Sequence, residues 1–171
     1  MAPTTIYHLE MIDREAFSPQ PAPVGFEVTA VDPPDPDFNR RFYREVGEAW
    51  QWTDRREWSD DQWHDYVYRD ALKTWVGRQA GEPAGYFELE SQADGDVEIV
   101  YFGLLPAFIG RGLGGPLLSA AVESAWNLPD TRRVWVHTCT DDHPHALENY
   151  RRRGFEVFKI EEGRSGPEPT D

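Results

Sequence analysis

Glycine occupies four of the six positions from 110 to 115, within the stretch "FIGRGLGGPLL" (108–118). A glycine-rich loop between a strand and a helix gathers bare backbone N–H groups at the positive end of the helix dipole, a setting that suits a phosphate. Gly110, Gly112 and Gly115 satisfy the G-x-G-x-x-G spacing of a dinucleotide site, but the surroundings do not. "LPAFI" separates strand from loop, and the strand after the helix ends "VHTC" with no acidic residue for a ribose. No G-K-[ST] ending follows, so a nucleoside triphosphate loop is unsupported. The competing reading is a glycine turn that only lets helix and strand pack closely. Glu98 is the one charge inside the apolar run "DVEIVYFGLL" (96–105). Burial there raises a carboxylate toward the range of a general base; the alternatives are pairing with an arginine or reaching solvent at a strand end. "TDDHPH" (140–145) offers Asp141, Asp142, His143 and His145, but these share one short loop without a distant ligand. A solvated helix start is expected there, and no metal. Cys139 reads as a packed thiol, since a nucleophile needs a base and an electropositive setting.

The elements that must position these residues follow from periodicity and punctuation. A strand-like run, Thr4–Met11, precedes the proline-rich "SPQPAPVG" (18–25) and the strand "GFEVTAV". Asp35 and Pro36 open a helix over "DPDFNRRFYREVGEAW", with Phe38, Phe42, Val46, Ala49 and Trp50 on one face. Ser59 and Gln62 have capping-box spacing for a second helix. "LKTWVGR" and "AGYFELE" form an antiparallel hairpin around "QAGEP", and 96–105 reads as a central strand covered on both faces. Leu117, Leu118, Ala121, Val122, Ala125 and Trp126 recur as a buried helical stripe. "RRVWVHT" is another strand, a last helix runs from Pro144 to Arg153 with Gly154 as left-handed cap, and "FEVFKIEE" closes the fold. The outcome is an α/β (α+β) sheet domain spanning 1–162, with 1–24 as N-terminal strand and linker and 163–171 as a disordered tail.

Composition restricts the partners. The chain has 171 residues, enough for one domain, and 17 Lys and Arg against 31 Asp and Glu give a formal charge of -14. Such a chain repels phosphate backbones and anionic membranes, so neither nucleic acid nor membrane is expected as a partner. One cysteine allows no internal disulfide, and no stretch approaches the ~18 consecutive apolar residues of a membrane span, so a soluble, cytoplasmic protein is expected.

"EIVYFGLLPAFIGRGLGGPLL" and "HALENYRRRGFE" resemble the pyrophosphate-binding motif and the Tyr-x-x-x-Gly-Phe segment of the GNAT superfamily of acyl-CoA-dependent N-acetyltransferases. Gly112 and Gly114 match the small positions of [Q/R]-x-x-G-x-[G/A], while Ile109 stands where Gln or Arg is usual. The resemblance implies a mixed, mostly antiparallel sheet of six to seven strands with about four helices. Its fourth and fifth core strands, here 97–104 and 132–138, splay into a slot. Acetyl-CoA is the implied co-substrate. Its diphosphate would lie on Ile109, Gly110, Arg111, Gly112, Leu113, Gly114 and Gly115, and its pantetheine amides would pair with the backbone near Phe102 and Leu104. His143 falls where many relatives carry a cofactor-contacting Asn, and either does the same or caps the helix before Pro144.

By the same resemblance Glu98 corresponds to the carboxylate base of some members and Tyr150 to the tyrosine that protonates the leaving thiolate. Their alternatives are an ion pair and a packed aromatic. His137, on the slot side, is either another base or a hydrogen-bonded structural histidine. Trp50, Trp52, Trp58 and Trp63 cluster where the family builds its acceptor pocket. Most are expected to pack the core; one or two of them lining the pocket with Asp54, Glu57 or Asp60 would favour a cationic amine, from a small molecule or a peptide. The family usually has one more strand after "FEVFKIEE", so Thr4–Met11, or the strand of a partner in a homodimer, is expected to cover that edge. An N-acetyltransferase is the leading reading, with acetyl or longer acyl donors open. A non-catalytic acyl-CoA sensor and a dinucleotide-dependent oxidoreductase are the rivals.

Overall fold

The two periodicities are realised as seven strands and four α-helices within residues 4–50 and 52–163, which a computed structural model of the chain describes. The strands lie side by side in the order β2 (Phe26–Ala30), β3 (Leu72–Gln79), β4 (Glu82–Ser91), β5 (Asp96–Leu104), β6 (Arg133–Cys139), β1 (Thr4–Met11) and β7 (Glu156–Gly163). Every neighbouring pair is antiparallel except β5 and β6. The two-residue loop Ala80–Gly81 closes the β3–β4 hairpin with both residues at positive φ, the geometry whose twist matches the strands.

α3 (Gly114–Asn127) and α4 (Ala146–Arg153) cover one face, where Leu117, Leu118, Ala121 and Val122 meet Leu9, Leu89, Ile99 and Val136. α1 (Pro36–Gly47) and α2 (Asp60–Val67) cover the β3–β5 half of the opposite face, through Phe42 and Val46 against Val76 and Tyr86, and through Trp63 and Val67 against Leu72. Local chemistry starts and stops these helices. The Asp35 carboxylate accepts the Asp37 N–H at 3.1 Å, and Ser59 and Gln62 complete both bonds of their capping box. Gly154 ends α4 at φ 111°, in the left-handed region.

Several expectations shift. Ala49 and Trp50 leave the helical face for a 3₁₀ turn over Glu48–Trp50, where Ala49 is exposed. α4 starts at Ala146 rather than Pro144. Asp142 accepts the Cys139 N–H and His143 Nδ1 accepts the His145 N–H, which commits the preceding residues to a turn. Gly163 ends β7 instead of opening the tail, whose residues 164–171 lie outside the described residues. Thr4–Met11 pairs along β7 as expected, but it covers the inner side of that strand and leaves the outer side as the edge of the sheet. β1 is inserted within the sheet, Leu9 facing Val136 of β6 on one side and Val157 of β7 on the other, so the edge belongs to β7.

One buried carboxylate joins the sheet to everything above it. Glu88 of β4 is fully buried and accepts from Asn39 of α1 (2.9 Å), Tyr66 of α2 (2.7 Å) and Arg55 of the α1–α2 link (3.1 Å). The Arg55 guanidinium lies 4.0 Å from the Tyr66 ring centroid, 4.5 Å from that of Tyr101 and 4.8 Å from that of Trp58. Most of the tryptophans pack the core, as expected: Trp63, Trp58 and Trp52 share one cluster, Trp58 and Trp63 enclose the protein's own cation, and Asp60 pairs with Arg40. Removing one member strands the other charge in a dry interior. Glu88→Ala is therefore expected to cost about 3–5 kcal/mol in urea unfolding. The double replacement Arg55→Met/Glu88→Leu is expected to recover a large part of that loss; equal instability of the two variants would count against the ion pair as the cause.

Candidate functional site

β5 and β6 pair only from Asp96–Arg133 to Glu98–Trp135. Beyond that point β5 stays with β4 through Leu104, and β6 stays with β1 through Cys139, so the two strands diverge into a slot. A bulge in β5 helps to aim its side chains. Leu89 faces Ile99 but Glu88 faces Tyr101, leaving Val100 as the extra residue. Glu98 and Tyr101 consequently share the α1–α2 face, while Ile99 and Phe102 share the core beneath α3. The Leu105 N–H bonds to the Ala84 carbonyl at 2.7 Å, and alternation in an antiparallel ladder then turns the N–H and C=O of Leu104 and Phe102 away from β4 into the slot. A side-chain bridge crosses the gap. Trp52, packed on Tyr101, donates its indole N–H to Asp142 at 3.3 Å, and Asp142 is held on β6 by the Thr138 hydroxyl at 2.6 Å.

At one end of the slot lies the glycine loop. Phe108 and Leu113 are buried and anchor it, and Ile109 is half-buried. The backbone N–H groups of Gly110, Arg111, Gly112, Leu113, Gly114 and Gly115 donate to no acceptor among the described residues. Gly110 and Gly112 have φ of 82° and 77°, and a Cβ at either would meet nothing within 4 Å. Their amides border open space at the N-terminus of α3, which is the chemistry a diphosphate requires. Asn149 of α4 ties the loop in place by donating to the Gly114 carbonyl at 3.2 Å. Next to it on α4, Tyr150 is buried with its ring 6.2 Å from that of Phe102, and its hydroxyl bonds to no described residue. Burial, with Asp142 nearby, pushes that phenol well up. His143 precedes α4 with its ring 5.2 Å from Trp50, and burial beside His145 holds its imidazole low.

On the opposite face, where no helix of the described residues covers β6, β1 and β7, an open hollow of about 610 Å³ is lined by His8, Glu98, Trp135, His137 and Glu161, with Arg133 and Lys159 among its other residues. Glu98 accepts from Gln92 Nε2 at 3.0 Å, and His137 Nδ1 stands 3.6 Å from its other oxygen. Burial and the facing carboxylate of Glu90 push Glu98 up to about 7, against the pull of Gln92 and Arg55. His137 is held low, chiefly by burial and then by His8, although Asp142 and Asp54 oppose this. Asp54 also accepts the Tyr101 hydroxyl at 3.1 Å. Burial and Asp142 push the Cys139 thiol up, away from the thiolate a nucleophile needs.

Sequence reasoning missed several of these participants. Gln92 fixes Glu98, Glu90 and Trp135 together, yet it sits in the turn after β4 with no motif to mark it. His8 reaches the hollow only because β1 inserts beside β6. Asp142 was visible as part of an acidic turn, but its place across the slot from Trp52 was not. Among the described residues no helix is long and apolar enough to cross a membrane, and no group of three or more His, Cys, Asp or Glu is placed to hold a metal ion.

The acetyltransferase (GNAT) family model matches residues 38–155. Among solved structures, the chain is similar to a GCN5-related N-acetyltransferase from Kribbella flavida (TM-score 0.67, 20% identity, 98% of this chain and 62% of that one). It is also similar to a GCN5-related N-acetyltransferase from Sphaerobacter thermophilus (0.71, 17%, 96% and 53%) and to an IAA acetyltransferase from Bacillus cereus (0.59, 22%, 78% and 79%). At these identities the likeness is one of fold. The chain spans only 62% and 53% of the first two structures. No curated protein matches it.

Because Glu98 is raised in the folded protein, the folded state favours its protonated form. The stability this contributes is complete below the ordinary carboxylate pKa and is lost as pH rises to about 7. Urea unfolding of wild type and Glu98→Gln is expected to show wild type falling progressively behind the variant between pH 5 and 8, with a constant gap at higher pH. Parallel stability curves across that window would remove the raised carboxyl.

Proposed function

The chain belongs to the acetyltransferase (GNAT) family, and from that premise we propose that it transfers an acetyl group from acetyl-CoA to a primary amine of a small molecule or peptide, within a ternary complex. The observation that carries this reading is the interrupted β5–β6 ladder running between a loop of unpaired amides and a hollow that holds Glu98. The loop amides from Gly110 to Gly115, with Arg111 beside them, would take the diphosphate; the Ile109 N–H is already donated to the Pro106 carbonyl. The slot-facing backbone of Phe102 and Leu104 would pair with the pantetheine amides as an added strand does, and His143 would contact the same arm. The donor supplies an activated thioester carbon.

The rest of the chemistry belongs to the chain. The acceptor enters the hollow as an ammonium ion, drawn by Glu98 of its lining and by Asp54 and Asp142 near His137, in a protein of net charge -14. The lining cations Arg133 and Lys159 are already paired, with Glu10 and Asp96 and with Glu161 respectively. Glu98, poised near neutrality, takes one proton and frees the amine's lone pair to form the new C–N bond. Tyr150 keeps its proton at working pH because burial raises it, so its hydroxyl donates to the sulfur as the C–S bond breaks. Of the two protons the ammonium gives up in all, one ends on the thiol and the other passes through the open hollow to water.

Thiol release with a panel of amines and neutral alcohols tests the reading. Turnover is expected with amines only, cationic ones foremost, and kcat/KM is expected to rise with pH through a limb near 7 as Glu98 ionises. Glu98→Gln is expected to lose that limb and about 100-fold or more of kcat. Tyr150→Phe is expected to lower kcat with little change in CoA affinity. Tight CoA binding without turnover on any amine would favour a sensor instead.

A further inference from the structure

Arg153, in the last turn of α4, is only 9% exposed, yet no carboxylate pairs with it among the described residues. Its Nη1 donates to the neutral amide oxygen of Gln20 at 2.9 Å, and its Nε is buried with no partner. Burial and the adjacent Arg152 hold its guanidinium below the ordinary value. The contrast with Arg55 is sharp, since that buried guanidinium has the Glu88 carboxylate and an aromatic enclosure. The position of Arg153 puts it between two helix ends. Its Nη1 lies 3.0 Å from where a Cβ on Gly115 would stand, beside the first turn of α3 and its unpaired amides. The C-terminal end of α4 attracts this charge while the N-terminal end of α3 repels it, and with no carboxylate beside it the guanidinium is left for an anion to neutralise.

We infer that Arg153 is a diphosphate-binding residue, placed against the first turn of α3 and held in the free protein by the neutral amide of Gln20. The inference rests on the donor reading given above and adds a side-chain charge to a site otherwise built from main-chain amides. Gln20 suits the role of place-holder. Its oxygen falls 1.8 Å from the ideal Cβ position of Gly115, in space that only glycine leaves open. Its own N–H is fixed on the Ser119 hydroxyl at 2.8 Å, and Ser18 N–H bonds to the Arg153 carbonyl at 2.9 Å, so the proline-rich segment is fastened to both helices that flank the site. An amide oxygen satisfies one donor of the guanidinium without neutralising it, which leaves the charge available to a phosphate oxygen.

Isothermal titration of the full chain with CoA and with dephospho-CoA, alongside thermal unfolding of the free protein, tests this. Arg153→Met is expected to weaken both ligands about tenfold or more while melting no lower than wild type, because it removes an unpaired buried charge. Arg153→Lys is expected to retain part of the affinity. Gln20→Glu is expected to raise the melting temperature by pairing Arg153 and to weaken both ligands by competing for it, and it decides the matter if Arg153→Met does not fold. Unchanged affinity in Arg153→Met, or in Gln20→Glu, with wild type binding CoA normally, overturns the role of Arg153 alone. Weakening toward CoA but not dephospho-CoA also overturns it, assigning the charge to the 3′-phosphate. Failure of wild type to bind either ligand overturns the donor reading itself.

Discussion

The β5–β6 ladder stops after three residue pairs, and the candidate site is a consequence of that stop. Two neighbouring strands can separate where each keeps a partner on its far side, because only the peptide groups that face the gap then lose a partner, at about 1–3 kcal/mol for each one that is buried and unsatisfied. β4 holds β5 to its end, and β1 holds β6 to its end. The insertion of β1 between β6 and β7 therefore helps to keep the slot open, although it contributes no residue to the glycine loop. What remains unpaired is the slot-facing backbone of Phe102 and Leu104 and the amides of the loop beyond, a continuous run of hydrogen-bonding groups waiting for an extended polar ligand.

The two faces of the slot differ in chemistry because the helices cover them unequally. Beneath α3 and α4 the sheet is largely apolar, and Tyr150 stands there beside Phe102 of β5. On the other face α1 and α2 cover only β3–β5, so the β6–β1–β7 half remains open and carries histidines, carboxylates and Trp135. Glu98 stands at the border, dry enough to be raised and close enough to the hollow to exchange protons. The bulge at Val100 makes this division possible. Without the extra residue, Tyr101 and Phe102 would exchange faces relative to Glu98, and the aromatic floor under Arg55 would be lost.

Glu88 and Arg55 show how a buried ion pair can set geometry rather than add stability. Through one carboxylate, α1, α2 and the α1–α2 link are all fixed to β4, and the next residue along from Arg55, Asp54, is presented to Tyr101 above the slot. The tryptophan-rich link reads in sequence as material for a ligand cage. In the fold its rings split between enclosing Arg55 and, through Trp52, spanning the gap to Asp142.

Sequence alone determined what depends on neighbours along the chain. The caps at Asp35, Ser59 and Gly154, the strand periods, the glycine loop and the lone charge of Glu98 are local signals, and each element appears within a few residues of its expected span. Partnerships between distant segments were decided by the tertiary structure. His8 meets His137, Gln92 clamps Glu98 to Trp135, and Gln20 rests on Arg153 because sheet order and helix packing bring them together across more than a hundred residues in two of these cases. A residue's own type fixes which bonds it can make. Only the folded chain fixes which groups stand within 3 Å of it and how much water is left to compete.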